Sequence, residues 1–480
     1  MKDFATYLNQ TQEVGYVTEV KHTILYVTGL PHAKLSELVI FETGELGQIV
    51  SMDRKYAEVI LFSRSVVRVG MQVARTGSVA SVTLSNNLLG KSLNPLGEQL
   101  DGQLFNHSKD KVVRQIDVEP LGITERKPVD QPLITGVSLV DLVIPLGIGQ
   151  RELVIGDRKT GKTVFLLQAM RSQLANNDMI CVYAGIAKWR VDIIKLEAFF
   201  ESSGLKDRSI LVSSAASDAP GLIFLTPYTA MTIAEYFRDQ GKDVLIILDD
   251  LTRHAQFYRE ITLLARRFPG RSSYPGDIFY VHAKLLERAG NFKKGSITCL
   301  PVAESIGGDL SGYIQTNIMS MTDGHIFFDS DYFTAGKRPA INPFLSVTRV
   351  GLQAHSQLLR DISRQLSRLL VRLEELSKLM HFGVEISADV KNTLALGERI
   401  NEFFRQSYER IIPLPMSVMI IAFLWFGRWK ELTTPQMRQE MEKAISRYQS
   451  DNTYREFIDR ILEESKSLSD LQVYITNEKI

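Results

Sequence analysis

The sequence has almost no cysteine: Cys181 and Cys299 are the only two in 480 residues. Each sits inside an apolar run, "MICVY" and "ITCLP". Their spacing excludes a disulfide framework and a thiolate metal site, and points to two buried free thiols. The eight histidines form no ligand cluster. Excess charge of either sign is also missing. The formal net charge is +1, so composition gives no reason to expect nucleic acid or anionic membrane as a partner. The opening "MKDFATYLNQTQ" lacks an apolar core and is no secretory signal. Long apolar runs are scarce. The longest, "IIPLPMSVMIIAFLWF" from Ile411 to Phe426, falls short of the roughly 20 residues that span a bilayer, and two prolines stand near its start. It reads as a buried helix, so partners must bring this chain to any membrane. There is no internal repeat and no low-complexity tract.

What is present is an ordinary globular mix, 44% hydrophobic and 23% charged, long enough for two to four domains. From about Val14 to Val73, "GYVTEV", "TILYVTGL", "ELVIFE", "GQIVSM" and "YAEVILF" read as short strands with turn residues between them. Such spacing predicts a small sandwich or barrel. From about Gln131, continuous Val- and Ile-rich runs ("ELVIGD", "MICVYAGI", "SILVSSA", "DVLIILDD") alternate with helical stretches. That is the pattern of buried parallel strands covered by helices. After Gly351 the strands stop. Leu358, Leu359, Ile362, Leu366, Leu369, Leu370, Leu373 and Leu376 form one apolar stripe of an amphipathic helix. The expected fold is multidomain α/β: a β domain over residues 1–73, a nucleotide-binding α/β domain over 74–350, and an α-helical domain over 351–480.

Chemistry concentrates in "GDRKTGKT", Gly156 to Thr163. Glycines let the backbone wrap around phosphate oxygens, and backbone N–H groups at a helix start favour their charge. Lys162 is placed to reach the β- and γ-phosphates, and Thr163 to offer a hydroxyl to Mg²⁺. The loop lies between a strand and a helix, the context that makes the motif specific. Further on, "VLIILDDL" ends a buried strand on Asp249 and Asp250. Asp249 is the expected metal-facing carboxylate and Asp250 the structural one.

Several stretches together resemble the alpha subunits of F-type ATP synthases. They are "GQRELVIGDRKTGKT", "EYFRDQGKDVLIILDDLTRHAQFYREITLLARRFPGRSSYPGD", "LLERAG", "TDGHIFF" and "RPAINPFLSVTRVG". "LLGKSLNPLGEQLDG" fits as well, and the similarity runs from about Gly15 through the C-terminal helices. The resemblance implies an N-terminal β-barrel, a central P-loop NTPase (RecA-like) domain and a C-terminal helical domain. It implies a non-catalytic subunit that binds ATP or ADP with Mg²⁺ and alternates with catalytic beta subunits in a hexamer around a rotor stalk. A peripheral stator and a membrane sector complete the complex, which couples ATP chemistry to ion transport, with the proton as the expected ion. Such a chain is a peripheral membrane protein on the cytoplasmic or organelle-matrix face, and nucleic acid is not a partner.

Carried over by motif, the nucleotide contacts are Gly156, Asp157, Arg158, Lys159, Thr160, Gly161, Lys162 and Thr163 in the loop, with Glu304 and Arg338 beyond it. Glu304 and Arg338 read equally as members of buried ion pairs. Arg349 in "LSVTRVG" takes the place of the family's arginine finger, supported by Ser346. Its alternative is a surface salt bridge. Three departures stand out. Where a catalytic site needs a carboxylate, and alpha subunits usually carry glutamine, this chain has Lys188. That lysine faces either the γ-phosphate or solvent. Lys159 adds a second cation to the loop, and Gln406 is a loosely placed contact on the adenine side. About a dozen residues precede the first expected strand, so stator attachment is expected to differ. The competing readings are a homohexameric export or translocase ATPase, which needs a glutamate at position 188, and a nucleotide-binding structural module, which does not need Arg349.

Overall fold

Short strands, three of them buried along most of their length, build a closed antiparallel barrel near the start of the chain. In barrel order its strands are Val14–Lys21, Ile24–Thr28, Ala57–Leu61, Leu46–Met52, Glu37–Phe41 and Gln72–Val79, which pairs back with the first. Val17, Leu25, Val39, Phe41, Ile49, Val59 and Val73 fill its interior. Burying each such side chain contributes about 1.5–3 kcal/mol. The sixth strand carries the barrel past residue 73, where the sequence pattern placed the boundary. Its polar stretch hides a structural use. Arg75 lies between two acids, with Nε 3.1 Å from Glu37 and Nη1 3.1 Å from Glu13. A helix, Phe4–Thr11, precedes the barrel, and Asp3 caps it through the Thr6 amide.

The computed structural model describes residues 3–103, 110–176, 179–380 and 387–476. The chain divides into two units. The first holds Met1–Lys127, Asp178–Glu304 and Leu310–Thr322; the second holds Pro128–Asn177, Ser305–Asp309 and Asp323–Ile480. Besides the barrel, the first unit contains parallel strands in the order Ser296–Glu304, Asp243–Asp249, Ile180–Lys188, Ser209–Ala215 and Ser92–Leu93. Helices Arg190–Ser202, Pro220–Arg238 and Leu251–Leu264 pack on them. Cys181 and Cys299 are buried free thiols in these strands, and burial pushes the Cys181 thiol up to about 12. Arg288, from "LLERAG", is fully buried and satisfied. It makes two bonds to Glu235, at 3.0 and 2.7 Å, and donates to the Ile116 carbonyl at 2.8 Å.

A buried histidine pair should make this unit acid-sensitive. His254 Nδ1 lies 3.0 Å from His282 Nε2, and His254 Nε2 lies 3.0 Å from the Phe224 carbonyl. That network fits two neutral rings. Burial pulls His254 down to about 4 and His282 well below its usual range. Unfolded histidines protonate near 6.5. The pair's contribution is therefore complete above that pH and shrinks as pH falls from there towards 4. Between pH 7.5 and 5.5 each ring should cost about 1.4 kcal/mol. We expect the loss of stability over that interval to be about 3 kcal/mol smaller in a His254→Phe/His282→Leu variant than in wild type, measured by urea unfolding. Equal losses would contradict the neutral pair.

In the second unit, Glu152–Gly156 runs parallel to Gly324–Phe328, which pairs antiparallel with Val347–Thr348. The helix Lys162–Asn176 follows the first of these. Beyond them come the helices Gln357–Met380, Ala388–Phe404, Leu414–Trp425, Thr434–Ser450, Asn452–Glu464 and Asp470–Thr476. Leu358, Ile362, Leu366, Leu369 and Leu370 of the expected stripe are buried, while Leu359, Leu373 and Leu376 are partly so. Leu414–Trp425 is buried continuously from Met416 to Leu424, so the long apolar run is a core helix. Among the described residues, no helix is long and apolar enough to cross a membrane. In chain order the protein is thus a β-barrel, a P-loop α/β region and a helical region.

Candidate functional site

The loop begins where two parallel strands come very close. A Cβ on Gly156 would lie 2.3 Å from the Phe328 carbonyl oxygen, so only glycine fits there. Lys159 (φ +63°) and Gly161 (φ +103°) then turn the backbone through the left-handed region. Lys162 donates to the Gly156 and Asp157 carbonyls at 2.6 and 2.7 Å, and the Thr160 hydroxyl donates to Asp157 O at 2.7 Å. Asp157 in turn accepts from Ser305 Oγ at 2.6 Å and from the Gly308 amide at 3.1 Å. Thr163 and Arg158 are exposed at the mouth of the loop. The result is a braced coil of backbone at a helix N-terminus, carrying a lysine, which is suited to holding phosphate.

Elsewhere in this unit, Arg349 stands on a rigid mount. Its amide donates to Asp323 O at 3.0 Å, and Asp323 is itself clamped by Arg151, at 2.9 Å to the amide and 3.0 Å to Nη2. Ser346 Oγ donates to Asn342 O at 2.6 Å and accepts the Phe327 amide at 2.9 Å, which ties this segment to the strand Gly324–Phe328. Thr348 donates to Pro145 O at 2.9 Å. The Arg349 side chain is exposed and makes no hydrogen bond or ion pair among the described residues. Below it, Glu152, Gly324 and Thr348 align across three strands. Glu152 is buried and accepts from Gln150 Nε2 at 2.7 Å, and burial pushes its carboxyl well above the usual range. Periodicity gave no sign of this buried acid, because in sequence Glu152 is one charged residue at the start of an apolar strand.

Gln406, expected on the adenine side, is buried. Its Nε2 donates to the Gly136 carbonyl at 2.6 Å and its Oε1 accepts from the Ser138 amide at 3.2 Å, which braces the chain around Gly136. Arg338 donates to the Phe333 and Lys337 carbonyls at 2.8 and 2.7 Å and lies over the Phe333 ring. It borders a cavity of about 650 Å³, with Lys337, Pro339, Glu374 and Arg399.

The remaining expected residues lie in the first unit. Lys188 does not point freely to solvent. Its Nζ is 2.7 Å from Asp249 Oδ1, with the two side chains 16% and 5% exposed. The Tyr183 hydroxyl donates to Asp249 Oδ2. Asp250 caps the helix Leu251–Leu264 by accepting the Arg253 amide at 2.6 Å, and burial pushes its carboxyl up to about 6 against the pull of Lys188. Glu304 ends its strand with its amide donating to Thr252 Oγ1 at 3.0 Å. The part played by Tyr183 was not visible in sequence, where it is one aromatic residue in a buried run.

Fold and loop define the class: a P-loop nucleotide-binding chain with a barrel before the α/β region and helices after it. Comparison with known proteins narrows this further. A family model described as "ATP synthase alpha/beta family, nucleotide-binding domain" matches residues 136–348, the span that holds the loop. One described as "ATP synthase alpha/beta chain, C terminal domain" matches residues 356–477. The ATP synthase subunit alpha of Clostridium acetobutylicum is 36% identical over 472 residues, covering 97% of this chain and 92% of that one. That of Rhodococcus jostii is 38% identical over 87% of this chain and 78% of its own, and that of Dictyoglomus turgidum 39% over 85% and 80%. The chain belongs to the alpha-subunit branch of the ATP synthase alpha/beta family.

Proposed function

We propose that this chain is the nucleotide-holding, non-catalytic subunit of an F-type ATP synthase or ATPase, and that it lends Arg349 to the catalytic site of a neighbouring beta subunit. The observation that carries this reading is the contrast at Arg349: the backbone is pinned on several sides while the charged head is exposed and unpaired among the described residues. A guanidinium on a fixed base, with no partner of its own, is built to meet an anion on another molecule. In phosphoryl transfer that anion is the migrating phosphoryl group.

The chain's own site holds ATP or ADP through Gly156–Thr163, with Arg338 as a further contact. It lacks a base for the attacking water. Position 188 carries an ammonium engaged by Asp249, where turnover needs a carboxylate. The same lysine counts against a self-sufficient homohexameric motor. Assembly with beta subunits, a rotor stalk and a stator would hold the chain at a membrane face, coupled there to ion transport, with the proton as the favoured ion. The purified chain should bind ATP stoichiometrically by equilibrium dialysis and release almost no phosphate over hours. Brisk turnover by the isolated chain would reject the non-catalytic reading.

A further inference from the structure

The strand Val347–Thr348, which leads into Arg349, is short and pairs with its neighbour at two positions, Thr348 opposite Gly324 and Val347 opposite His325. One strand further in, Glu152 is fully buried and in register with Gly324. Gly324 is where the two outer strands meet. A Cβ there would stand 2.2 Å from the Val347 carbonyl oxygen, and 2.6 and 2.8 Å from Glu152 Oε2 and Oε1. Only glycine leaves room for both groups, so the carboxyl and the carbonyl crowd one small space. Oε2 accepts from Gln150 Nε2 at 2.7 Å, while Oε1 is buried with no hydrogen-bond partner among the described residues. Gln150 cannot turn round to serve it differently, because its own Oε1 accepts the Gly147 amide at 2.8 Å.

Bare acceptors do not share such a space without cost. An ionised Glu152 would set its charge against the Val347 carbonyl dipole and leave Oε1 buried without a donor. Two charged groups face it, Asp323 and Arg349. Asp323 is a second anion, already clamped by Arg151. The Arg349 side chain is exposed and makes no ion pair with Glu152 among the described residues. A proton on Oε1 removes the conflict, because it turns an acceptor into a donor aimed at the carbonyl. Burial and Asp323 both favour that neutral form. We infer that Glu152 carries a proton on Oε1 and donates it to the Val347 carbonyl, which makes Glu152 a positioning residue for Arg349. This rests on the reading of Arg349 as a finger and adds a third attachment for the short strand that bears it.

The test has two arms. The first is the infrared difference spectrum of the full chain at neutral pH, wild type against Glu152→Gln. Wild type should show a protonated-carboxyl C=O stretch that the variant lacks. Loss of carboxylate bands instead would overturn the inference. The second arm is turnover per folded complex, reconstituted with the catalytic partners and assayed well below the melting temperature. Glu152→Gln keeps a neutral donor beside Val347 and should stay within about twofold of wild type. Glu152→Leu fills the space without a donor and should lose on the order of 10² in turnover, the cost of misplacing a catalytic group by about 1 Å. ATP binding to this chain should persist in both variants, and circular dichroism checks that each is folded. A residue needed only for stability would lower the melting temperature of Glu152→Leu and leave turnover per folded complex unchanged, which would overturn the inference. Arg349→Ala in the same complex separates the two readings. If it turns over like wild type, the finger reading fails and this one with it. If it loses turnover while a folded Glu152→Leu does not, this inference alone is overturned. The infrared arm needs only wild type and the amide variant, so it decides even where Glu152→Leu does not fold.

Discussion

Replacing Arg349 with alanine should abolish steady-state turnover of a complex reconstituted with its catalytic partners, while ATP binding to this chain persists. Fingers supplied in trans are worth about 10³–10⁵ in rate, and the loss should fall in that range. Binding to this chain should survive because nothing about Arg349 braces the loop: its amide bonds to Asp323, while Gly156, Asp157 and Thr160 are braced by Lys162, Ser305 and one another. Arg349→Lys should rescue little, since an ammonium lacks the planar fork of a guanidinium. Turnover in the alanine variant equal to wild type, at equal subunit stoichiometry, would remove the finger assignment.

The second large effect is expected two residues further on. A Cβ on Gly351 would lie 1.7 Å from the Pro145 carbonyl oxygen. That oxygen cannot step aside cheaply, because it also accepts the Thr348 hydroxyl at 2.9 Å, and Thr348 adjoins Arg349. Gly351→Ala should therefore push the whole segment off its seat. Overpacking of this kind costs about 1–3 kcal/mol, and a backbone clash belongs at the upper end. A catalytic group displaced by about 1 Å loses on the order of 10² in rate. We expect a lower melting temperature and a turnover loss of that size with ATP binding to this chain unchanged. A variant with wild-type melting and turnover would show that the mount does not position Arg349.

How much of this was legible in the sequence varies by element, for physical reasons. The barrel strands that are short apolar runs between turn residues were visible. Gln72–Val79 was not, because its Arg75 and Thr76 serve ion pairs and hydrogen bonds that period-2 reasoning reads as loop. The phosphate loop announced itself, but the reason for Gly156 did not: it depends on Phe328, far away in sequence. The long apolar run was readable as a buried helix because length and prolines set it apart. Lys188 could be singled out as a departure, yet its partner could not be named. That pairing depends on a bulge and on the register between two parallel strands, and neither leaves a local signal. Gln406 shows the same limit. Its hydrogen bonds to the chain at Gly136 and Ser138 join segments that no sequence pattern connects.

The most direct measurement follows the fate of nucleotide on this chain while the complex works. A photo-crosslinkable ATP carrying a labelled γ-phosphate would be bound to the reconstituted complex and fixed after many turnovers. The nucleotide attached to this chain would then be identified. The account predicts that it is still ATP, with label intact, while the catalytic partners carry ADP. Recovery of ADP on this chain, formed in step with turnover and lost with a Lys162→Gln substitution in its own loop, would contradict it.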